Sequence, residues 1–298
     1  MTQRNNGFSL AELLIALALA SGLCTMMFQL FHQNERAIRD QTLIMEMQQT
    51  ARLVAAQIAD EIRMAGQGVP VYAASFDVVP SEATAVILGS STASRIDFRA
   101  GLSNIETGAS GGVVDLTLGN SSTLFLTNTS GFAVGKFVYV FGPSTNSSWP
   151  WVRAELTAVS STFVTLTPRN TGTANTTIHL GAPPTVALEE AVTIYLSGGS
   201  VRRAMASSFT NPASPAWGPA NEIGKNFTVL SFTYYDAVGN LVEPTSLANR
   251  TNVARIDIQL TVETAAPLTN GTRPTYSLTL RTIPRNAQTR FANYASAQ

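Results

Sequence analysis

The chain has 298 residues, 19 basic and 19 acidic, and is 45% apolar but only 13% charged. Zero net charge excludes the strongly basic surface that a nucleic-acid partner selects, and a single cysteine, Cys24, excludes an intrachain disulfide. The length suits one large domain or two small ones with a sizeable core, under a surface made polar by Ser, Thr, Asn and Gly rather than by ions.

The first predicted element is a long apolar helix. Residues 1–7, MTQRNNG, are polar, and from Phe8 to Phe31 the only charged residue is Glu12. No proline interrupts this run. As a helix rising about 1.5 Å per residue it extends ~36 Å, against a bilayer core of ~30 Å. A helix apolar on all sides suits lipid better than one face of a soluble core. Ordinary readings compete here. Ala18-Leu19-Ala20 is an A-x-A pattern at which a leader peptidase cuts before Ser21, although the apolar run continues past it through MMFQLF. A plain membrane anchor leaves Glu12 as an accident near the interface.

A third reading uses every feature. The stretch GFSLAE, Gly7 to Glu12, resembles the type IV prepilin cleavage and methylation signature. That resemblance implies that a prepilin peptidase cuts between Gly7 and Phe8 and methylates the Phe8 amine, leaving Glu12 as the fifth mature residue. A carboxylate in a bilayer costs a few kcal/mol, less near the interface, unless a cation meets it. Residues four apart on a helix share a face, so the new amine of the same chain lies within reach of Glu12. The resemblance implies instead the Phe8 amine of a neighbouring subunit, with Glu12 setting axial register in a filament, the best-attested use of a buried charge. It also implies a cytoplasmic N-terminus in the inner membrane and a periplasmic head that later reaches the pilus or cell surface. Arg4 and the initial amine are the only leader cations to support that topology. The implied partners are the prepilin peptidase, other minor and major pilins, the inner-membrane assembly platform, and membrane lipid before assembly.

Past His32 the apolar pattern narrows to a stripe. Met47, Ala51, Val54, Ala55, Ile58, Ile62 and Ala65 recur at helical spacing, with Glu46, Gln49, Gln57, Asp60, Glu61 and Arg63 on the other faces. Gly66, Gly68 and Pro70 stop the helix. One helix over 8–66 is therefore predicted, transmembrane over 8–31 and amphipathic over 32–66. Residues 67–298 form a β head. RIDFRA, VVDLTL, TLFLTN, KFVYVF, TFVTLT, VTIYLS, NFTVLSFTYY, ARIDIQLTV and YSLTLRTI are rich in β-branched and aromatic residues between Gly, Asn, Ser and Pro clusters. SGGS at 197–200 predicts a hairpin, and DAVGN at 236–240 another turn. TGASGG and the Pro-Pro of GAPPT bracket a run of short strands, which reads as a small all-β, barrel-like insert at about 112–182; a single continuous sandwich is the alternative. The predicted class is α+β, a pilin-like long N-terminal helix on an antiparallel sheet carrying that insert. RMAG at 63–66, YLSGGSVRR at 195–203, YDAVGN at 235–240 and PRN at 284–286 resemble, in order, landmarks of PilW-type minor pilins. The chain is larger than major pilins and lacks their frequent cysteine pair.

The sequence has no H-E-x-x-H and no P-loop, and the two histidines, His32 and His179, are far apart. No cofactor and no metal are expected, since Asp236, Asn240 and Glu243 read as turn formers before they read as calcium ligands. Trp149 and Trp151 in SSWPWVR, read as a loop of the insert, are either an exposed contact for a partner or sugar or rings packed onto the barrel. The expected function is that of a minor type IV pilin at a pilus tip or initiating complex, not an enzyme. A J-like pseudopilin of type II secretion and a membrane-anchored adhesin or ligand-binding protein are the alternatives.

Overall fold

The protein is described here by a computed structural model covering residues 10–70, 81–143, 149–172, 175–181 and 183–284. Its first element is a single helix, α1 (Leu10–Arg63), 54 residues long, about 81 Å at 1.5 Å per residue. Nothing in it is buried before Met47; from there Ala51, Val54, Ala55, Ile58, Ala59 and Ile62 are buried at helical spacing. The helix ends where expected, in the turns that follow Arg63, with the Gly66 N–H donating to the Arg99 carbonyl at 2.8 Å.

The head contains strands β1 (Arg95–Arg99), β2 (Glu106–Gly108), β3 (Val114–Thr117), β4 (Ser122–Phe125), β5 (Phe137–Phe141), β6 (Trp151–Val159), β7 (Phe163–Thr171), β8 (Thr177–Leu180) and β9 (Thr185–Leu188). It continues with β10 (Ala191–Ser197), β11 (Ser200–Ser208), β12 (Ala216–Trp217), β13 (Asn221–Lys225), β14 (Phe227–Tyr235) and β15 (Leu241–Val242). A short helix α2 (Leu247–Asn252), N-capped by the Ser246 hydroxyl, precedes β16 (Arg255–Glu263) and β17 (Thr275–Thr282).

Two antiparallel sheets share one core with α1. The first runs β1-β10-β11-β12, with β13 also on β11; the second runs β15-β14-β16-β17. Ile58 and Ile62 of α1 meet Ile96, Val192 and Val201 from the first sheet and Phe232, Ile258 and Leu260 from the second in this cluster. The helix comes so close to the β13 backbone that a Cβ on Gly224 would stand 2.6 Å from Val54 Cγ2, so only glycine fits there. Arg203 Nε adds a two-oxygen contact to Glu61 at 2.7 and 2.8 Å. The SGGS segment is a two-residue hairpin: Ser197 pairs with Ser200, and Gly198 and Gly199 have φ of 59° and 75°, the positive pair that such a turn requires. DAVGN closes β14 onto β15 as expected.

Residues between β1 and β10 form a third sheet, β2-β9-β5-β6-β7-β4. It curls until its edges meet. Ala109 and Leu126 form an antiparallel bridge, Ser110 N–H donates to the Phe125 carbonyl at 2.7 Å, and Thr127 N–H to the Gly108 carbonyl at 3.1 Å. The β3–β8 ribbon adds Leu116, Ile178 and Leu180 to a separate core with Val138, Val140 and Leu156. The fold is α+β with an all-β, barrel-like portion. That portion spans Glu106–Leu188, so the expected bounds of 112–182 fall inside it.

Candidate functional site

The N-terminal part of α1 is long and apolar enough to cross a membrane, and none of its most apolar stretch is buried. Leu13, Leu17, Leu23, Phe28 and Phe31 are 57–71% exposed. Glu12 is exposed in the first described turn. Gly7 and Phe8, the expected cleavage and methylation positions, lie outside the described residues. Farther along, Ile38, Met45 and Leu53 are 63–65% exposed, at spacings that put them opposite the buried stripe centred on Ile58. The helix thus turns one face to the head and keeps an apolar line on the other.

Trp151 is not a surface residue. It is the first residue of β6, paired with Phe141 rather than sitting in a loop, and it is 1% exposed. Its ring stands edge-on to Tyr139 at 6.3 Å, in a cluster with Val69, Ala83 and Ala187, against which the half-buried Trp149 also packs. A partner or sugar therefore has no access to the Trp151 indole in this conformation. The local reason is that β6 begins at Trp151, directly after SSWP, and its first four residues are all buried.

Sequence reading missed a buried ion cluster where the barrel-like portion meets the first sheet. Glu189, between β9 and β10, accepts from Arg99 Nε at 2.8 Å and Arg153 Nε at 2.7 Å, and lies 3.2 Å from the Tyr139 hydroxyl, whose one proton is shared with the Ala83 carbonyl. All four side chains are at most 1% exposed. Arg99 also donates to the Ala85 and Pro212 carbonyls, Arg153 to that of Phe209, and Tyr139 to that of Ala83. The Arg153 guanidinium lies 4.1 Å over the Phe137 ring. Burial pulls the Arg99 guanidinium down, but the Tyr139 phenol and Glu189 carboxylate outweigh it and leave it raised. Burial pushes the Tyr139 hydroxyl well above its ordinary value, against the pull of Arg99. Charges inside strand-like segments, in RIDFRA and WVRAEL, were the available signal.

Other polar groups are spent locally. Asp236 Oδ1 accepts from the N–H groups of Val238 and Asn240 at 3.0 and 2.7 Å, and Oδ2 from Asn240 Nδ2 at 3.0 Å. Partial burial raises its carboxyl, but these donors outweigh it, for a net depression. His179 Nδ1 lies 2.7 Å from Asp115 Oδ1 on the exposed β3–β8 ribbon. His32 stands 3.6 Å from Glu35 on α1. Among the described residues no three His, Cys, Asp or Glu side chains converge on a metal-sized site.

No protein-family model and no curated protein matches the chain. Among solved structures, a type IV-like pilin from Thermus thermophilus matches 53% of this chain and 89% of its own, at 10% identity and a TM-score of 0.25.

Proposed function

We propose that the chain is a pilin-type filament subunit, anchored in the inner membrane by α1 until it is assembled. The observation that supports this most is the division of one unbroken helix into two environments. Its first part is apolar on every face and exposed, while its second part is bound to the head along one stripe. A soluble protein gains nothing from such an overhang, whereas a subunit that leaves lipid for the centre of a helical assembly needs it in both places. GFSLAE supplies the second half of the reading: cleavage after Gly7, methylation of Phe8, and Glu12 as the register contact to a neighbouring subunit. The topology proposed is N-terminus cytoplasmic and head periplasmic, then pilus surface.

Within that class we favour a minor type IV pilin near a tip or initiating complex, working with other pilins, the prepilin peptidase and the assembly platform. The barrel-like portion adds a second core between β1 and β10, and a chain of this size without a cysteine pair favours few copies over bulk filament. A J-like secretion pseudopilin shares the helix and sheet; a membrane-anchored adhesin shares the added portion. Mass spectrometry of the mature N-terminus tests the proposal. N-methyl-Phe8 is the expected first residue; Ser21 would show an ordinary cleaved leader, and retained Met1 or Thr2 a plain anchor.

A further inference from the structure

We infer that a groove between α1 and the loop joining β16 to β17 binds the phosphate of an anionic phospholipid, seating the head on the membrane before assembly. This rests on the membrane-spanning reading of α1.

The groove has a volume of about 640 Å³ and is lined by Arg36, Arg39 and Leu43 from the helix and Pro267, Leu268 and Thr269 from the loop. Its loop wall is held in place. Asp40 accepts from Thr269 N–H at 3.1 Å and also from the Thr269 hydroxyl. Leu268 N–H donates to the Thr272 carbonyl at 2.9 Å, Gly271 N–H to that of Leu268 at 2.8 Å, and Thr272 N–H to Asn270 Oδ1 at 3.0 Å. Arg273 Nη1 ties the loop base through the Thr264 carbonyl at 3.1 Å.

The two arginines on the other wall are exposed, and among the described residues neither has a hydrogen-bond or ion-pair partner. The neighbouring acids are already engaged: Asp40 with Thr269, and Glu35 with His32 at 3.6 Å. Two unpaired guanidiniums three residues apart on one helix, beside an apolar wall, match a phosphodiester with acyl chains below it. Arginine binds phosphate through paired N–H groups and is lightly hydrated, so it releases water readily on doing so.

The position on the helix selects lipid over a soluble anion. Arg36 and Arg39 follow Phe31, the last residue of the apolar run, by five and eight positions, about 7.5 and 12 Å along the axis. Helical side chains lean toward the N-terminus, here toward the bilayer, and an arginine stem reaches several ångströms in that direction. Both guanidiniums therefore meet the headgroup layer, which is ~5–7 Å thick on each side of the core.

The test uses the full chain in neutral detergent. Native mass spectrometry measures retention of phosphatidylglycerol against phosphatidylcholine, for the natural chain and for Arg36→Gln with Arg39→Gln. Retention of phosphatidylglycerol should exceed that of phosphatidylcholine, and the double variant should lose on the order of tenfold of the preference, as expected for two interfacial cations. Arg36→Lys with Arg39→Lys should keep part of it, and inorganic phosphate should compete poorly because it lacks acyl chains. Equal retention of the two lipids, an unaltered preference in the glutamine variant, or full displacement by inorganic phosphate would each overturn the proposal. So would dimers that the glutamine variant alone dissolves, since the groove would then serve a second copy. Carbonate extraction separates the two readings: a chain that washes out of membranes sinks the anchor and the groove together, whereas one that stays and shows no lipid preference sinks the groove alone.

Discussion

Glu189 takes two guanidiniums on its two oxygens, beside the Tyr139 hydroxyl and buried from bulk solvent. Breaking a buried pair from the acid side leaves uncompensated charge, which costs ~3–5 kcal/mol. Glu189→Ala should lower the unfolding free energy of the full chain, measured by urea titration in detergent, by that amount; a loss below about 1 kcal/mol would mean that Arg99 and Arg153 manage with their carbonyl acceptors alone. Tyr139 and Tyr234 give a pH signature. Burial raises both hydroxyls above the ordinary 10.0. Between the ordinary and the raised value, the unfolded chain has lost a proton that the folded chain keeps. Stability is therefore intact below that pH and falls above it. Melting temperature followed from about pH 8 to about pH 11 should show this decline, and Tyr139→Phe should make it shallower even if its starting point is lower. An unchanged slope would show that Tyr139 titrates normally. At this scale the sequence was least legible. Arg99, Arg153 and Glu189 are 90 residues apart at most and meet only through strand pairing, and Trp151 looked like loop because its burial depends on Tyr139 and Ala83 from distant segments.

The elements were much easier to read, because their periods are local. Met47 to Ile62 repeats at helical spacing, and that stripe is the buried one. β14 and β16 alternate, and their inward residues, Phe232 and Tyr234 with Ile256 and Ile258, are the buried ones. The two glycines of SGGS specify the hairpin that forms. Closure of the third sheet was less visible, since it depends on the single bridge Ala109–Leu126 between segments that no local pattern relates. The buried stripe and the exposed line of α1 make opposite predictions from like chemistry. Ile58→Ala removes a fully buried side chain that joins the helix to both sheets, and should destabilise by ~2–5 kcal/mol. Ile38→Ala, at 63% exposure, should stay within about 0.5 kcal/mol as a monomer. Denaturant unfolding of both variants decides it; equal losses would mean that the helix does not dock through the stripe described.

At the scale of the molecule, the head and the overhanging helix answer to different solvents, and Glu12 belongs to the second. In lipid its carboxylate is tolerable near the interface, and replacing it by leucine makes the segment more apolar. Glu12→Leu should therefore insert at least as well as the natural chain and leave the head's melting temperature unchanged, because the helix meets the head only from Asp40 onward, far from Glu12. On the proposed processing, cleavage depends on the residues around Gly7 and Phe8, so it should persist. What should be lost is co-assembly. A helix sliding among identical apolar helices has no preferred axial position unless a charge finds its partner, and one pair in a low-dielectric setting is enough to choose between registers. Sheared filaments from cells expressing both forms, quantified for the variant by mass spectrometry, measure this directly. The variant should be depleted by on the order of tenfold relative to its membrane pool, the factor expected from ~1.4 kcal/mol of lost pairing. If it enters filaments as readily as the natural chain, the acid has no register role, and the case for filament building must stand on the cleavage site alone.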